Sequence, residues 1–190
     1  MSEIHHITSP LTEDVLQKLR VGQRVLLSGT VYTARDAAHQ RLVQTLAVGQ
    51  PLPFDLRGQI IYYVGPSPTR PGQVIGAAGP TTAGRVDDYT LPLLAQGLKG
   101  MIGKGKRSQA VRDGLVQYKA VYCVCVGGAA ALLSERITAV QPIAYEDLGT
   151  EAIRQLTLQD FPMVVADDIY GADMYEQCQL AYRRLPHAKD

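Results

Sequence analysis

Residues 76–108 read GAAGPTTAGRVDDYTLPLLAQGLKGMIGKGKRS, and the fold class turns on how apolar runs and glycines alternate there. Val74, Ile75 and Ala77 lead as a strand into Gly79-Pro80-Thr81-Thr82. Residues 83–96 then read as a helix, broken or restarted near Thr90 and Pro92, with Thr90 as a cap and the proline two residues on, where it is tolerated. Met101-Ile102 is a short strand that runs into Gly103-Lys104-Gly105-Lys106-Arg107-Ser108, and Ser108 caps another helix. Both turns are therefore expected to be strand-to-helix junctions. Such junctions expose unpaired backbone N–H groups at a helix start, where a negative charge is favoured. Arg85 lies one helical turn after Thr81, so hydroxyl and guanidinium face the same way. Lys104 adds a point charge between two glycines. The stretch suits a small anion, a carboxylate or a phosphate; alternatively, the glycines only make tight turns and the cations are solvated.

Upstream, residues 1–11 are polar and expected to lie extended over a neighbour or frayed. Thr12 caps a short helix with Glu13 and Asp14 in its first turn, and residues 24–33 alternate as a strand. Residues 36–46 form a helix with Ala37, Leu42, Val43 and Leu46 inward, so Arg35 sits at a strand-to-helix corner with His39 one turn on. Arg35 is either the corner-fixing partner of Asp36 or another carboxylate, or an anion ligand. A single helical histidine such as His39 more often packs than catalyses. Residues 59–64 contain IIYYV, a strand buried on both faces, followed by a Pro-rich surface loop at 65–72.

Downstream, residues 108–118 form a helix with Ala110, Val111 and Leu115 inward, and residues 120–126 a strongly apolar strand. Gly127-Gly128 turns that strand into the helix 129–134; the pair either cradles an anion or allows close packing. Strands at 138–145, 152–158 and 163–166 and an amphipathic helix at 172–185, with Met174, Tyr175, Cys178, Ala181, Tyr182 and Leu185 on one face, close the chain. Strands and helices alternate in the middle while the ends carry consecutive strands. That order gives one mixed, layered α/β domain over residues 1–190 without an internal repeat.

The chain has 190 residues and a formal charge of +1, so no basic stripe points to nucleic acid and no charge excess points to a membrane surface. No apolar run approaches the roughly 20 residues of a membrane helix, and the first residues lack the pattern of a signal peptide, so a cytoplasmic protein is the expectation. Of the three cysteines, Cys123 and Cys125 fall in the apolar strand and pack there, or share one face as metal ligands, while Cys178 stands apart. Three thiols so spaced do not make an iron–sulfur site.

The motifs GPTTAGRVDDYTLPLL and MIGKGKRS, together with SGTVYTARDAAHQRL (28–42), PFDLRGQIIYYVGPSP (53–68), VYCVCVGGAAALLSERI (121–137) and DFPMVVADDIYG (160–171), span nearly the whole chain in family order. The sequence resembles the β subunit, or C-terminal domain, of the class I iron–sulfur fumarases and the related L-tartrate dehydratases. The resemblance implies a swivelling β/β/α domain and the reversible hydration of fumarate to L-malate. It also implies a [4Fe–4S] cluster supplied by a separate α subunit, in an α2β2 assembly, with no metal held by this chain; isolated, the chain could pair with itself. Matched residue by residue, Arg35, Arg85 and Lys104 are similar to the family's carboxylate binders. Thr81 is similar to a threonine that assists proton transfer, and Asp36, His39, Thr82 and Lys106 are placed to support them. Lys106 stands where many fumarases carry asparagine, and GRVDDY and MIGKGKRS are closer to the fumarase than to the tartrate dehydratase version. The competing readings are a tartrate dehydratase β subunit and a non-enzymatic anion-binding or regulatory module.

Overall fold

The computed structural model describes residues 3–183. The strands β1 (Ile4–Thr8), β2 (Arg24–Thr33), β3 (Ile60–Tyr62), β4 (Gly100–Gly103), β5 (Val121–Val124), β6 (Ile137–Ala144) and β7 (Ile153–Asp167) form one sheet in the order β1-β2-β3-β4-β5-β7-β6. β1 to β5 are parallel, whereas β7 is antiparallel to β2, β5 and β6. Because β7 also pairs with β2, the hydrogen bonding closes on itself through β2, β3, β4, β5 and β7. Between the strands run α1 (Glu13–Leu16), α2 (Asp36–Ala47), α3 (Asp87–Ala95), α4 (Gln109–Tyr118) and α5 (Ala130–Ser134), and α6 (Met174–Arg183) follows β7. Among the described residues no helix is long and apolar enough to cross a membrane.

The two-residue period of the strands makes two cores. Ile60, Tyr62, Ile102, Val121 and Cys123 point to one side, against Leu27, Val31, Leu156 and Phe161. Ile61, Tyr63, Met101 and Tyr122 point to the other, where Ala38 and Leu42 of α2, Leu93 and Leu94 of α3 and Val111 and Leu115 of α4 cover them. The IIYYV stretch is thus buried on both faces. Full burial of each such side chain is worth about 1.5–3 kcal/mol. The Tyr62 phenol, inside the first core, is satisfied by donating to the Ala78 carbonyl at 2.7 Å.

Several local expectations are corrected. Residues 4–8 are neither frayed nor draped: they form β1, in register beside residues 24–28 of β2. Residues 74–77 make no strand. The stretch 80–82 is held instead by single bridges, Val64 to Pro80 on one side and Thr82 to Lys104 on the other. The helical region breaks not at Thr90 but at Val86, where a 3-10 turn (Ala83–Val86) passes into α3. Thr90 is no cap: within α3 its hydroxyl donates to the Val86 carbonyl at 2.8 Å. Ala38 and His39, not Ala37, face inward from α2, and Ala110 of α4 is exposed. The strands expected at 152–158 and 163–166 are one strand bent at Asp160 (φ 49°). Pro162 is tolerated there because it falls between the β6 and β5 ladders. Of the face expected on the last helix, Ala181, Tyr182 and Leu185 lie outside the described side chains.

Candidate anion-binding site at the carboxyl ends of the strands

The parallel strands β2, β3, β4 and β5 end on the same edge of the sheet, so the loops that follow them are neighbours. Arg35 follows β2 and Lys104 follows β4. Between the ends of β3 and β4 the stretch 80–82 is wedged in as extended chain. Thr81 donates both its N–H (2.7 Å) and its hydroxyl (3.0 Å) to the Tyr63 carbonyl, and its own carbonyl accepts from the Lys104 N–H at 3.0 Å. Ala83 N–H then donates to the Lys104 carbonyl at 2.9 Å. Gly103 is required at this crossing, since a Cβ there would meet Tyr63 Cδ2 at 2.8 Å and the Thr81 carbonyl oxygen at 3.3 Å. The expected second junction is therefore present, whereas the first is a wedge rather than a strand end.

The cations are not equivalent. Arg35 is paired with Glu151, not with Asp36, at 3.6 Å. Asp36 instead meets Arg85 at 3.3 Å, which brings the 3-10 turn carrying Arg85 against the start of α2. Lys104 is exposed, makes no ion pair among the described residues and lies over Gly127, with Nζ 3.6 Å from where a Cβ would sit. Arg35, Thr81, Arg85 and Lys104 thus all sit on elements at the carboxyl ends of β2 to β4, Thr81 and Lys104 bonded through their backbones. Two carboxylates, Asp36 and Glu151, offset two of the three cations. Thr82 is the exposed residue before the 3-10 turn and makes no side-chain cap; Lys106 is exposed, with its ammonium 5.8 Å above the Tyr175 ring.

His39 supports the corner from below. Its Nδ1–H donates to the Arg35 carbonyl at 2.8 Å, its ring meets Tyr63 edge-on at 5.2 Å, and Nε2 is buried without a partner among the described residues. Burial holds its pKa down at about 4 from an ordinary 6.5, against the raising effect of the Arg35 carbonyl. The unfolded chain takes the proton first, so this contribution to stability is full above pH 6.5 and is lost as pH falls towards about 4. At about 1.4 kcal/mol per unit the loss is on the order of 3 kcal/mol. Asp167, buried with both carboxylate oxygens unpartnered among the described residues, works in the opposite sense. Burial, with Asp173 beside it, pushes its carboxyl up to about 7, so its contribution is lost as pH rises from 3.8 through that value. The two slopes oppose each other between pH 4 and 6.5, and wild-type melting alone does not separate them. The stability difference between wild type and His39→Gln, measured by urea unfolding at several pH values, is expected to shrink by that amount across the acid range. A pH-independent difference would show that His39 titrates normally.

Arg107 was expected only as part of a cationic turn, and the structure gives it a different place. Its side chain is fully buried, with Nε donating to Asp87 Oδ1 at 2.7 Å, Nη1 to the Tyr63 hydroxyl at 3.0 Å and Nη2 to Thr90 Oγ1 at 2.6 Å. The other oxygen of Asp87 accepts from the Ser108 N–H at 2.7 Å. One guanidinium thereby ties the loop after β4 to α3 and to the residue whose carbonyl holds Thr81. A Lys-Arg run gives no sequence signal for such burial, because its partners lie 17 to 44 residues away.

A family model described as Fumarase C-terminus matches residues 2–178. The chain belongs to the fumarase C-terminus family. It is 39% identical over 167 residues to the aerobic class I fumarate hydratase of Escherichia coli, covering 87% of this chain and 30% of that protein. It is 36% identical over 187 residues to fumarate hydratase 2 of Leishmania major, covering 92% and 33%. With the putative L(+)-tartrate dehydratase subunit beta of Methanocaldococcus jannaschii it shares 35% identity over 173 residues, 88% of this chain and 89% of that one. This family member thus spans about a third of the fumarate hydratases it matches and most of the tartrate dehydratase subunit.

The iron–sulfur cluster that the resemblance implies does not fit the donors of this family member. Cys123 and Cys125 are buried in the first core, and burial pushes the Cys123 thiol far up and the Cys125 thiol to about 12, so both stay protonated. Cys125 donates its S–H to the Pro162 carbonyl at 3.4 Å. Cys178 is exposed on α6. Among the described residues no group of three or more His, Cys, Asp or Glu is arranged to hold a metal ion.

Proposed function

We propose that this chain is the β subunit of a class I fumarate hydratase, a hydro-lyase that interconverts fumarate and L-malate at a site completed by a [4Fe–4S]-bearing α subunit in an α2β2 assembly. The observation that supports the reading is that Arg35, Arg85, Lys104 and Thr81 lie on elements at the carboxyl ends of β2 to β4, in a member of a family whose relatives include fumarate hydratases. A dicarboxylate brings two negative charges, and three cations offset by two internal carboxylates give it one bare lysine and two arginines already held in place. Each charge-assisted hydrogen bond to the substrate is worth about 1.5–3 kcal/mol. The near full-length match to a tartrate dehydratase β subunit supports a separate subunit, and it keeps tartrate as the second reading of the substrate.

Thr81 assists proton transfer at carbon on this reading, and its surroundings limit how. Its hydroxyl already donates to the Tyr63 carbonyl, which cannot take a proton away, so its lone pairs are what it offers to a reacting group. Thr81→Ala is therefore expected to lower kcat by about 100-fold or more with a far smaller change in KM. Steady-state kinetics of the assembled enzyme decide this, and normal turnover would remove Thr81 from the chemistry.

The reading as a whole is tested by co-expressing the chain with an α-type protein that carries spaced cysteines. A brown complex that hydrates fumarate faster than it dehydrates L-tartrate is expected. The reverse preference would favour the tartrate reading. A colourless mixture that never associates, yet binds small anions, would favour a non-enzymatic module.

A further inference from the structure

Arg35 is gripped on two sides by groups that no part of the proposed chemistry uses. On one side Glu151, at the end of the 3-10 segment Glu146–Glu151 between β6 and β7, places Oε1 3.6 Å from Arg35 Nη2. Its other oxygen accepts the Ala37 N–H at 2.8 Å, closing the first turn of α2. That segment is clamped to the same helix by Asp147, which accepts from both Nη groups of Arg41 at 2.8 Å. On the other side lies Gly65, just after β3. A Cβ at this glycine would run into Arg35 Nη1 and stand 3.0 Å from Cδ, so the Arg35 side chain lies close against bare backbone. Arg35 Nε is buried and has no partner among the described residues.

We propose that Glu151 and Gly65 form a slot that positions Arg35, so that its guanidinium, on a side chain still 23% exposed, is held in one orientation for a substrate carboxylate; the inference rests on the proposed role of Arg35. A guanidinium ordered in the free chain loses little freedom when the ligand arrives. Against this stands the negative charge of Glu151, which by itself repels a dicarboxylate. The slot therefore predicts a sign: removing the Glu151 charge weakens substrate binding, although plain electrostatics would strengthen it. Glu151 and Gly65 are positioning residues, acting only through Arg35.

The test uses Glu151→Gln, which keeps an acceptor for the Ala37 N–H, and Gly65→Ala, whose methyl displaces the guanidinium without demanding a left-handed backbone. In the chain assembled with its cluster-bearing partner, each is expected to raise KM for fumarate about tenfold with kcat within about twofold, and neither is expected to act further once Arg35→Ala is present. In the full chain alone, the Arg35 Nε–H is expected as a resolved, slowly exchanging NMR signal that both variants lose. An unchanged or lowered KM in both variants, with Arg35→Ala still raising it, overturns the slot. If Arg35→Ala leaves KM unaltered, the proposed role of Arg35 falls instead, and the NMR signal alone decides: its survival in both variants overturns the slot and its loss in both upholds it.

Discussion

Replacing Arg107 with methionine is expected to cost about 3–5 kcal/mol of folding stability, a large part of the roughly 5–15 kcal/mol that a domain commands. The magnitude follows from what is left behind. Asp87 is nearly buried and would keep its charge and its bond from the Ser108 N–H but lose its guanidinium, while the Tyr63 and Thr90 hydroxyls would each lose a donor. Methionine fills much of the space and touches the Tyr63 and Tyr122 rings, over which the guanidinium now lies at 5.5 and 5.1 Å, so the loss would be electrostatic rather than a cavity. The double variant Asp87→Asn with Arg107→Met is accordingly expected to be at least about 1 kcal/mol more stable than the summed single losses imply. Urea unfolding of the four proteins settles the matter, and a single-variant loss below about 1 kcal/mol would mean that the buried pair contributes nothing net. Arg107→Lys is not a rescue, because an ammonium cannot reach Asp87, Tyr63 and Thr90 at once.

Arg107 also shows why part of this molecule was legible in the sequence and part was not. Periodicity found β2, α2, the buried run of β3 and the Ser108 cap, because each depends on neighbours within a few positions. It missed β1, whose polar residues become a strand only by lying beside β2, and it cut β7 in two at Asp160 and Pro162, where the strand changes partners. The corner bearing Arg35 was visible as the end of an alternating run before a helix, and that bearing Lys104 as the glycine-marked end of an apolar one. Their ion pairs were not: Glu151 lies 116 positions from Arg35, and nothing local distinguishes it from a solvated acid. The same holds for Gly65, which reads as a loop glycine until Arg35 is found resting on it.

Lys104→Ala is expected to lower kcat/KM of the assembled enzyme by about 100- to 1,000-fold, or roughly 3–4 kcal/mol of transition-state binding, while leaving the melting temperature of the chain unchanged. The separation of the two effects is the point. Lys104 is exposed and pairs with no carboxylate among the described residues, so its truncation orphans nothing; its backbone, which holds Thr81 and Ala83, is untouched. Arg85→Ala is different, because it would release Asp36 beside the incoming dianion and so add a repulsion to the lost attraction. It is expected to damage both KM and kcat. Lys104→Arg would keep the charge on a broader head over Gly127, and partial recovery of activity is expected, more than with glutamine and less than wild type. If Lys104→Ala turns over normally in a complex that Thr81→Ala disables, the reacting dicarboxylate does not reach the end of β4. The proposed site would then contract to Arg35, Thr81 and Arg85, whose arginines already carry counter-ions, and this chain would offer the substrate no unopposed charge.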